Sequence, residues 1–424
     1  MKKNILMVGP YPPHQRGGGE SQQRLLSHMF KEKGYKVFVL SMGTNKIFDV
    51  YYEKGIKVYR IFKFQENRRG SLSVFQALKY VTLEIFNPLL FLFTMFLIIK
   101  HRINSVNIIT YNQISLSPLI ASKLLMRNIV VTMHSHELLC SYSAIIPSCR
   151  GIWKDRCGDC LLHEHELPKS MKKFEIILNP VFNLITSFIL SIKLNMTNHL
   201  ADKIVFPSVY SKKTHLKYGI NIKKTKVIPC FLNKFGIKPV KTKKKNDKKL
   251  ILYIGKVEEE KGIKVLIQSI KKLLKYNKNF KLIVIGDGRS FKKIKRLTHK
   301  LRINKYVDFF GSVSHSDVFK YYSFADIVVI PSVVPETFSI VLLEASLSKK
   351  ITICSRIGAL EERIIDGKTG FLVEPNNSDE LAKKIHFVLK NYRELKHVGE
   401  RAYLDVSKKY GFKRSFSEYL KLLG

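Results

Sequence analysis

Short apolar runs alternate with longer stretches of helical periodicity along almost the whole chain. The runs are continuous, a pattern typical of parallel strands buried on both faces. In the first half, the predicted strands are Asn4–Gly9, Lys36–Ser41, Lys57–Ile61, Val106–Thr110, Ile129–Met133, Lys203–Pro207 and Lys226–Pro229. Helices are predicted between them, for example Glu20–Lys33, which is followed by Gly34 as a typical C-terminal stop.

The pattern lapses over residues 231–249, where lysines crowd a stretch with little apolar content. This stretch is predicted to be a solvated linker between a first domain, residues 1–230, and a second domain, residues 250–405. The strands predicted after the linker are Leu250–Ile254, Phe280–Ile285, Val307–Phe310, Ile327–Pro331, Ile351–Cys354 and Gly370–Val373. The sequence therefore predicts an α/β protein with two doubly wound domains. Residues 406–424 are expected to form a C-terminal helix that packs back on the first domain.

The net charge of the chain limits the classes of binding partner that are expected. The 424 residues include 74 Lys and Arg against 33 Asp and Glu, a formal net charge of +41. Such an excess favours an acidic partner: nucleic acid, an anionic membrane face or a phosphorylated small molecule. A compositional bias is the other interpretation, because Lys, Asn and Ile are frequent throughout. No RNA- or DNA-binding signature accompanies the charge, which leaves nucleic acid the least supported of the three.

Two apolar segments could contact or span a membrane. Ile85–Ile99 and Pro180–Leu194 are both shorter than the roughly 20 residues that a spanning helix needs. A buried core helix and a helix at a membrane surface are the two interpretations that we retain. The N-terminus has the pattern of a first strand rather than of a signal peptide. We therefore expect a cytoplasmic protein, as a candidate for peripheral attachment to the inner face of the membrane.

Four of the six cysteines fall close together in a predicted loop, residues 136–165. They are Cys140, Cys149, Cys157 and Cys160, and the last two form a C-x2-C pair. A structural zinc site is one interpretation of this spacing. A redox-active or disulfide pair and simple free thiols are the alternatives, and the sequence leaves all three open.

The candidate chemistry lies at predicted strand ends, where ligands bind in such sheets. After the first strand, three glycines, 17–19, precede Glu20 and a helix, and glycines there allow close backbone approach to a ligand. After the first strand of the second domain, Lys256 and Lys261 flank the turn into a helix. Two cations at this edge of the sheet suit a pyrophosphate.

Two glutamates mark a further strand end in the second domain. Glu336 lies in the loop after strand Ile327–Pro331, and Glu344 lies within the helix that follows. The N-terminus of a helix favours a phosphate group, and a carboxylate beyond it can accept hydrogen bonds from sugar hydroxyls. Glu344 stands in an otherwise apolar run, where a charge without a partner would be costly. Both glutamates are therefore binding candidates.

Taken in order, these motifs resemble the retaining glycosyltransferases of family 4, which have the GT-B fold. The G-G-x-E motif is matched by Gly17, Gly18 and Glu20, G-R-x4-K-G by Gly255, Lys256, Lys261 and Gly262, and E-x7-E by Glu336 and Glu344. G-G-x-P-E is matched in part, by Gly358, Ala359 and Glu362. Lys256 stands where the family has Arg, which exchanges a bidentate fork for a point charge. The resemblance covers residues 250–405 closely and the first domain more loosely.

The resemblance implies two Rossmann-like domains facing each other across a cleft, with the donor held by the second. In the donor site, Lys256 and Lys261 would bind the diphosphate, Glu344 the ribose and Glu336 the donor sugar. Further donor contacts would come from Gly18 and from the amides of Thr337, Phe338, Ser339 and Ile340. His134, at the end of strand Ile129–Met133, matches a family histidine that faces the donor sugar; the alternative is a satisfied surface imidazole. His134 and Glu336 are thus the catalytic candidates.

The activity that follows from this resemblance is transfer of a hexosyl-type group from a nucleotide diphosphate sugar to a hydroxyl acceptor, with retained anomeric configuration. No cofactor is expected for catalysis. The acceptor is expected to be a lipid-linked or cell-surface glycan. The alternatives are a sugar-nucleotide epimerase on the same fold and a basic nucleic-acid-binding protein.

Overall fold

The computed structural model describes residues 3–11, 18–44, 48–62, 83, 85–109, 114–140, 175–232 and 248–424. The chain divides into two compact units. The first comprises Met1–Pro229 together with Lys413–Gly424, and the second comprises Cys230–Phe412. Residues 233–247, most of the predicted linker, lie outside the described ranges.

The first unit is a mostly parallel sheet with helices. Its elements are β1 (Asn4–Val8), α1 (Gly18–Glu32), β2 (Lys36–Thr44), β3 (Phe48–Glu53), β4 (Ile56–Phe62), α2 (Pro88–Lys100), β5 (Ser105–Ile109), α3 (Ser117–Leu124), β6 (Asn128–Thr132), α4 (Glu175–Leu200), β7 (Lys203–Phe206), α5 (Val209–Leu216) and β8 (Thr225–Val227). The described strands are ordered β3-β4-β2-β1-β5-β6-β7-β8. Each strand predicted for this unit is present.

β3 is the strand of the first unit that the apolar pattern did not predict. It pairs antiparallel with β4 at the sheet edge, through a turn at Lys54 and Gly55, both of which have positive φ. Its residues are half-buried or exposed, because an edge strand covers little of the core. A search for continuous apolar runs finds parallel interior strands and misses this kind of strand.

The second unit is a fully parallel sheet. Its elements are β9 (Lys249–Ile254), α6 (Ile263–Leu273), β10 (Phe280–Ile285), α7 (Phe291–Lys300), β11 (Val307–Gly311), α8 (His315–Phe324), β12 (Ile327–Ile330), α9 (Ile340–Leu347), β13 (Ile351–Ser355), α10 (Ala359–Arg363), β14 (Phe371–Val373), α11 (Ser378–Lys390) and α12 (Tyr392–Lys409). The strand order is β11-β10-β9-β12-β13-β14. The predicted strands of this unit agree with the structure to within one residue at each end.

Both faces of the second sheet are buried, which explains its continuous apolar runs. Ile251, Tyr253 and Val329 belong to the core on one face, whereas Leu252 and Val328 belong to the core on the other. Alternate residues of one strand thus enter two different cores. The carboxyl ends of β9, β12 and β13, where the candidate site lies, are held by this packing.

The chain ends in α13 (Phe412–Leu423), whose residues from Lys413 onward belong to the first unit. The Asn128 side-chain amide donates to the carbonyl of Leu422 at 2.6 Å. The Phe416 ring packs edge-on against Phe30, with a centroid distance of 5.1 Å. The helix therefore contributes to the core of the first unit.

The two apolar segments form α2 and part of α4. Leu90, Leu97 and Ile98 of α2 are buried, as are Leu190 and Leu194 of α4. Within the described ranges, these helices and all others fall short of the length and apolar character that a bilayer-spanning helix requires. Each of the two helices therefore has an inner face that belongs to the core.

Candidate active site

The loop between β12 and α9 carries a strained residue at the start of the helix. Ser339, the N-cap of α9, has φ 66°, a conformation that residues other than glycine rarely adopt. Its hydroxyl oxygen accepts a hydrogen bond from the Leu342 amide at 3.4 Å. The Phe338 side chain is buried, so this residue can offer a ligand only its backbone. The loop thus presents main-chain groups at a helix N-terminus, which favours an anion.

Glu336 and Lys261 form an ion pair in the second unit. Lys261 Nζ donates to Glu336 Oε1 at 2.7 Å, and the Ser332 hydroxyl donates to the same oxygen at 2.7 Å. Burial alone would raise the pKa of Glu336, but the lysine and the Ser332 hydrogen bond together hold it below its usual value. Both partners are therefore charged at neutral pH. The side chain of Lys261 is 33% exposed, so the ion pair is not fully enclosed by protein.

Gly262 brings the Lys261 loop against the end of β12. Its φ is +70°, and a Cβ at this position would lie 1.7 Å from the carbonyl oxygen of Pro331. A side chain is therefore excluded on steric grounds. The glycine of the motif lets the turn after β9 approach the loop after β12, which places Lys261 beside Glu336.

Lys256, the other predicted diphosphate ligand, is exposed at the end of β9. The Tyr253 hydroxyl donates to its carbonyl at 2.7 Å, which fixes the backbone of the turn. The acidic residues of the same turn are engaged by cations elsewhere. Arg289 lies 3.6 Å from Glu258 and 3.3 Å from Glu260. Burial and the neighbouring Glu260 raise the pKa of Glu258 overall, although both Lys256 and Arg289 act to lower it.

Glu344 lies on α9 and is 5% exposed. The Tyr322 hydroxyl donates to its Oε2 at 2.9 Å. Burial raises the pKa of Glu344 to about 7, although the hydrogen bond from Tyr322 acts in the opposite direction. Tyr322 comes from α8, and nothing in the sequence pattern indicated that it would reach this carboxylate.

The partly matched G-G-x-P-E segment packs directly on Glu336. The Ala359 amide donates to the carbonyl of Glu336 at 2.8 Å. Gly358 has φ +60°, and a Cβ there would lie 2.8 Å from both the nitrogen and the oxygen of Glu336. Glycine is therefore required at position 358, whereas position 359 accommodates alanine. The loop supports the backbone of Glu336.

Arg363 is a buried residue of the site that the sequence did not indicate. Its Nη1 donates to the carbonyls of Phe338 and Ser339, at 2.5 and 2.9 Å. The guanidinium carbon lies 4.0 Å from the centroid of the Phe338 ring and 4.8 Å from that of Tyr410. Arg363 therefore clamps the strained loop at the start of α9.

In the first unit, the start of α1 lies against His134. A Cβ on Gly19 would lie 3.4 to 3.6 Å from atoms of His134, which follows β6. Burial lowers the pKa of His134 to about 4, which keeps the imidazole neutral. Gly18 is exposed at the start of α1. Gly17 lies outside the described residues.

The predicted metal site cannot be assembled from the described residues. Cys140 is buried, and Cys149, Cys157 and Cys160 lie outside the described ranges. Within those ranges, no three His, Cys, Asp or Glu side chains are grouped so as to hold a metal. A structural zinc ion at the four cysteines stays a prediction. Metal analysis of anaerobically purified protein, with a Cys157→Ser/Cys160→Ser variant as control, would test it.

Residues 234–405 match the family model described as Glycosyl transferases group 1. The match covers the loops that carry Lys256, Lys261, Glu336 and Glu344. The resemblance of this part of the chain to glycosyltransferases is confirmed, while membership of family 4 in particular stays a prediction.

Proteins with similar sequences are named as glycosyltransferases. The chain is 30% identical over 186 residues to lipopolysaccharide 1,2-N-acetylglucosaminetransferase of Salmonella typhimurium, covering 41% of this chain and 49% of that one. It is 35% identical over 167 residues to an uncharacterized glycosyltransferase of Methanocaldococcus jannaschii, covering 39% and 42% of the two chains. The chain thus spans less than half the length of these relatives.

Solved structures extend the similarity to the whole fold. The Anabaena protein HepE, solved in complex with UDP and glucose, aligns over 99% of both chains with a TM-score of 0.71 and 16% identity. Sucrose-phosphate synthase from Thermosynechococcus elongatus aligns over 99% of this chain and 98% of its own, with a TM-score of 0.72 and 17% identity. The predicted GT-B fold, with its two Rossmann-like domains, is confirmed.

Proposed function

We propose that this protein is a glycosyltransferase that moves a sugar from a nucleotide diphosphate sugar to a hydroxyl group of an acceptor. The observation that carries the proposal is the Lys261–Glu336 ion pair, which lies next to the N-terminus of α9. The ammonium of a partly exposed lysine and a helix N-terminus can hold a diphosphate, and the adjacent carboxylate can accept hydrogen bonds from sugar hydroxyls. This arrangement falls within the part of the chain that matches the glycosyltransferase family model.

In this proposal, the second unit stabilises the leaving group. When the bond between the sugar and the diphosphate breaks, negative charge develops on the β-phosphate oxygens. Lys256, Lys261 and the amides of residues 337–340 supply positive charge and hydrogen-bond donors for these oxygens. Because the loop is already held by Arg363, little reorganisation is needed at the moment of reaction.

Glu344 is the proposed ligand of the nucleotide ribose, and Glu336 of the donor sugar. Burial raises the pKa of Glu344 and so disfavours its ionised form. Hydrogen bonds donated by ribose hydroxyls would stabilise that ionised form. Gly18 and His134 of the first unit are proposed as further ligands of the donor. A neutral imidazole such as that of His134 can donate or accept a hydrogen bond. We propose that the anomeric configuration is retained, as in family 4.

We further propose that the acceptor is a lipid-linked or cell-surface glycan, reached from the cytoplasmic face of the membrane. The name of the Salmonella relative, a lipopolysaccharide glycosyltransferase, supports this class of acceptor. The net charge of +41 supports a location beside an anionic surface.

The experiment that tests the function is a thermal-unfolding screen of UDP-, ADP-, GDP- and TDP-sugars, followed by NMR analysis of the product. A donor at about 100 times its dissociation constant should add roughly 2.7 kcal/mol of stability. The NMR spectrum of the product formed with an added glycan acceptor should show the anomeric configuration of the donor. Conversion of the donor alone to an epimer would instead identify a sugar-nucleotide epimerase. The absence of stabilisation by all of these donors would contradict the proposal.

A further inference from the structure

The outward face of α2 is apolar over the whole length of the helix. Leu89, Leu92, Phe96 and Ile99 recur at intervals of three and four residues, which places them on one face. Their exposed fractions are 39%, 62%, 47% and 63%. A surface helix of a soluble domain normally presents polar residues on its outward face. The exposed apolar face of α2 therefore indicates a surface that contacts something other than water.

The apolar surface continues over the neighbouring helices. Leu97 of α2, Leu119 of α3 and Leu194 of α4 belong to one core cluster, so the three helices cover the same face of the sheet. On their outward faces, Leu184 and Phe188 of α4 are one turn apart and are 73% and 63% exposed. Leu124 at the end of α3 is 63% exposed. We call the exposed residues Leu89, Leu92, Phe96, Ile99, Leu124, Leu184 and Phe188 the apolar layer.

Cations predominate around the apolar layer, although Asp202, just after α4, lies 3.7 Å from Lys123 Nζ. Residues 85–136 and 176–201, which include α2, α3 and nearly all of α4, contain no Asp or Glu. The cations at the ends of α2 and α3 are Lys100, Arg102 and Lys123, all exposed. Lys100 Nζ lies 4.9 Å from the centroid of the Phe96 ring, so this exposed cation contacts an aromatic residue of the apolar layer. This is the arrangement of a lysine at a membrane interface.

We propose that the apolar layer is a docking surface for an anionic lipid bilayer, and that α2 and α4 lie in the plane of the interface. The proposal deepens the proposed function, on which it rests for the lipid-linked acceptor. Interfacial helices combine bulky apolar residues on the buried side with Lys and Arg at the boundary, and the attraction to anionic headgroups adds to the burial of apolar surface. The lack of Asp and Glu over residues 85–136 and 176–201 favours lipid over a protein partner, because acidic residues on these helices would be repelled by phosphate headgroups.

The test compares the full chain with two matched double variants in co-sedimentation with vesicles. The vesicles contain either phosphatidylcholine alone or phosphatidylcholine with phosphatidylglycerol. Leu92→Glu/Phe96→Glu places two carboxylates in the apolar layer. Leu404→Glu/Phe387→Glu makes the same exchanges at positions of the second unit with similar exposure, 65% and 46%. The two variants thus differ in location and not in chemistry.

We expect the wild-type chain to bind the anionic vesicles and to be released by salt. The variant of the apolar layer should lose about tenfold or more in vesicle affinity, while the control should bind like the wild type. Equal binding by the two variants, or no binding of the wild type at low salt, would overturn the proposal. A wild-type dimer that becomes monomeric in the Leu92→Glu/Phe96→Glu variant, with vesicle binding unchanged, would instead identify an interface between two copies.

The same samples distinguish this proposal from the proposed function. Stabilisation by the donor identified in the thermal screen should be equal in the wild type and both variants, which also shows that the variants are folded. If no nucleotide diphosphate sugar stabilises any of the three while vesicle binding follows the expected pattern, the docking surface stands and the proposed donor chemistry fails.

Discussion

The Tyr322 hydroxyl donates a hydrogen bond to Glu344 Oε2 at 2.9 Å and thereby links α8 to α9. The carboxylate is almost fully buried, and burial raises its pKa to about 7. The group is therefore partly protonated at neutral pH, and small changes in its hydrogen-bond donors shift the balance. The ionisation state of Glu344 therefore depends on pH and on any ligand that donates hydrogen bonds to its carboxylate.

Replacing Glu344 by Gln should stabilise the fold at high pH while abolishing most of the activity. The pKa of Glu344 in the folded chain, about 7, lies above the ordinary value of 4.5, so ionisation costs stability as pH rises from 4.5 through 7. At pH 8 the variant should gain about 2–3 kcal/mol in free energy of unfolding, and at pH 4.5 almost nothing. Urea unfolding at both pH values measures this. A variant that is less stable than the wild type at pH 8 would contradict the burial argument.

Replacing Tyr322 by Phe should weaken nucleotide binding in a pH-dependent way. Without the hydroxyl, the pKa of Glu344 rises further, so fewer molecules carry the carboxylate at pH 7. Affinity for the nucleoside diphosphate should fall several-fold at pH 7 and recover at pH 8.5. Tyr321→Phe, the same exchange at the preceding residue, is the control. A loss of equal size at every pH would mean that Tyr322 acts through packing alone.

Replacing Arg363 by Leu should release the loop at the start of α9. The guanidinium is the donor to the carbonyls of Phe338 and Ser339, and leucine leaves both buried carbonyls without it. We expect a loss of about tenfold or more in nucleotide affinity, measured by calorimetry. Arg356→Leu, which removes a half-buried arginine that pairs with Asp366 and Glu374 instead of the loop carbonyls, should change little. Unchanged affinity in Arg363→Leu would show that nucleotide binding does not depend on the hydrogen bonds from Arg363 to the loop.

The first unit should lose stability as the pH falls below 6.5. The rings of His136 and His215 are buried and stacked at 5.5 Å, and burial lowers their pKa values to about 3 and about 4. The unfolded chain binds these protons near pH 6.5 and the folded chain does not, so each imidazole costs about 1.4 kcal/mol per pH unit below that value. In the His136→Gln variant, the slope of the unfolding free energy against pH should decrease by the contribution of about one proton. A slope in His136→Gln equal to that of the wild type would contradict the assignment.

Sequence reasoning succeeded where one physical cause dominates. Strands such as β10 and β12 are buried on both faces, so they read as continuous apolar runs with clear ends. The motif glycines were also informative, because Gly262 and Gly358 occupy positions where a Cβ would collide with backbone. Edge strand β3 carries neither signal and was missed.

The supporting contacts of the site could not be predicted, because they depend on how distant segments meet. Tyr322, Ser332 and Arg363 hold Glu344, Glu336 and the loop before α9, yet none of the three belongs to a motif. Buried polar contacts of this kind follow from the packed structure. Local periodicity contains no information about which side chain will satisfy a given carboxylate.

The most direct test of the central claim is a calorimetric titration of nucleoside diphosphates into the wild type, Lys261→Ala and Lys264→Ala. Lys264 is exposed three residues further along, so the two variants remove the same charge from the same region. Loss of a charged contact to the diphosphate should cost about 1.5–3 kcal/mol, or about 10- to 100-fold in affinity, in Lys261→Ala. Lys264→Ala should bind like the wild type. Equal affinities in all three proteins, with circular dichroism showing that they are folded, would contradict the donor site proposed here.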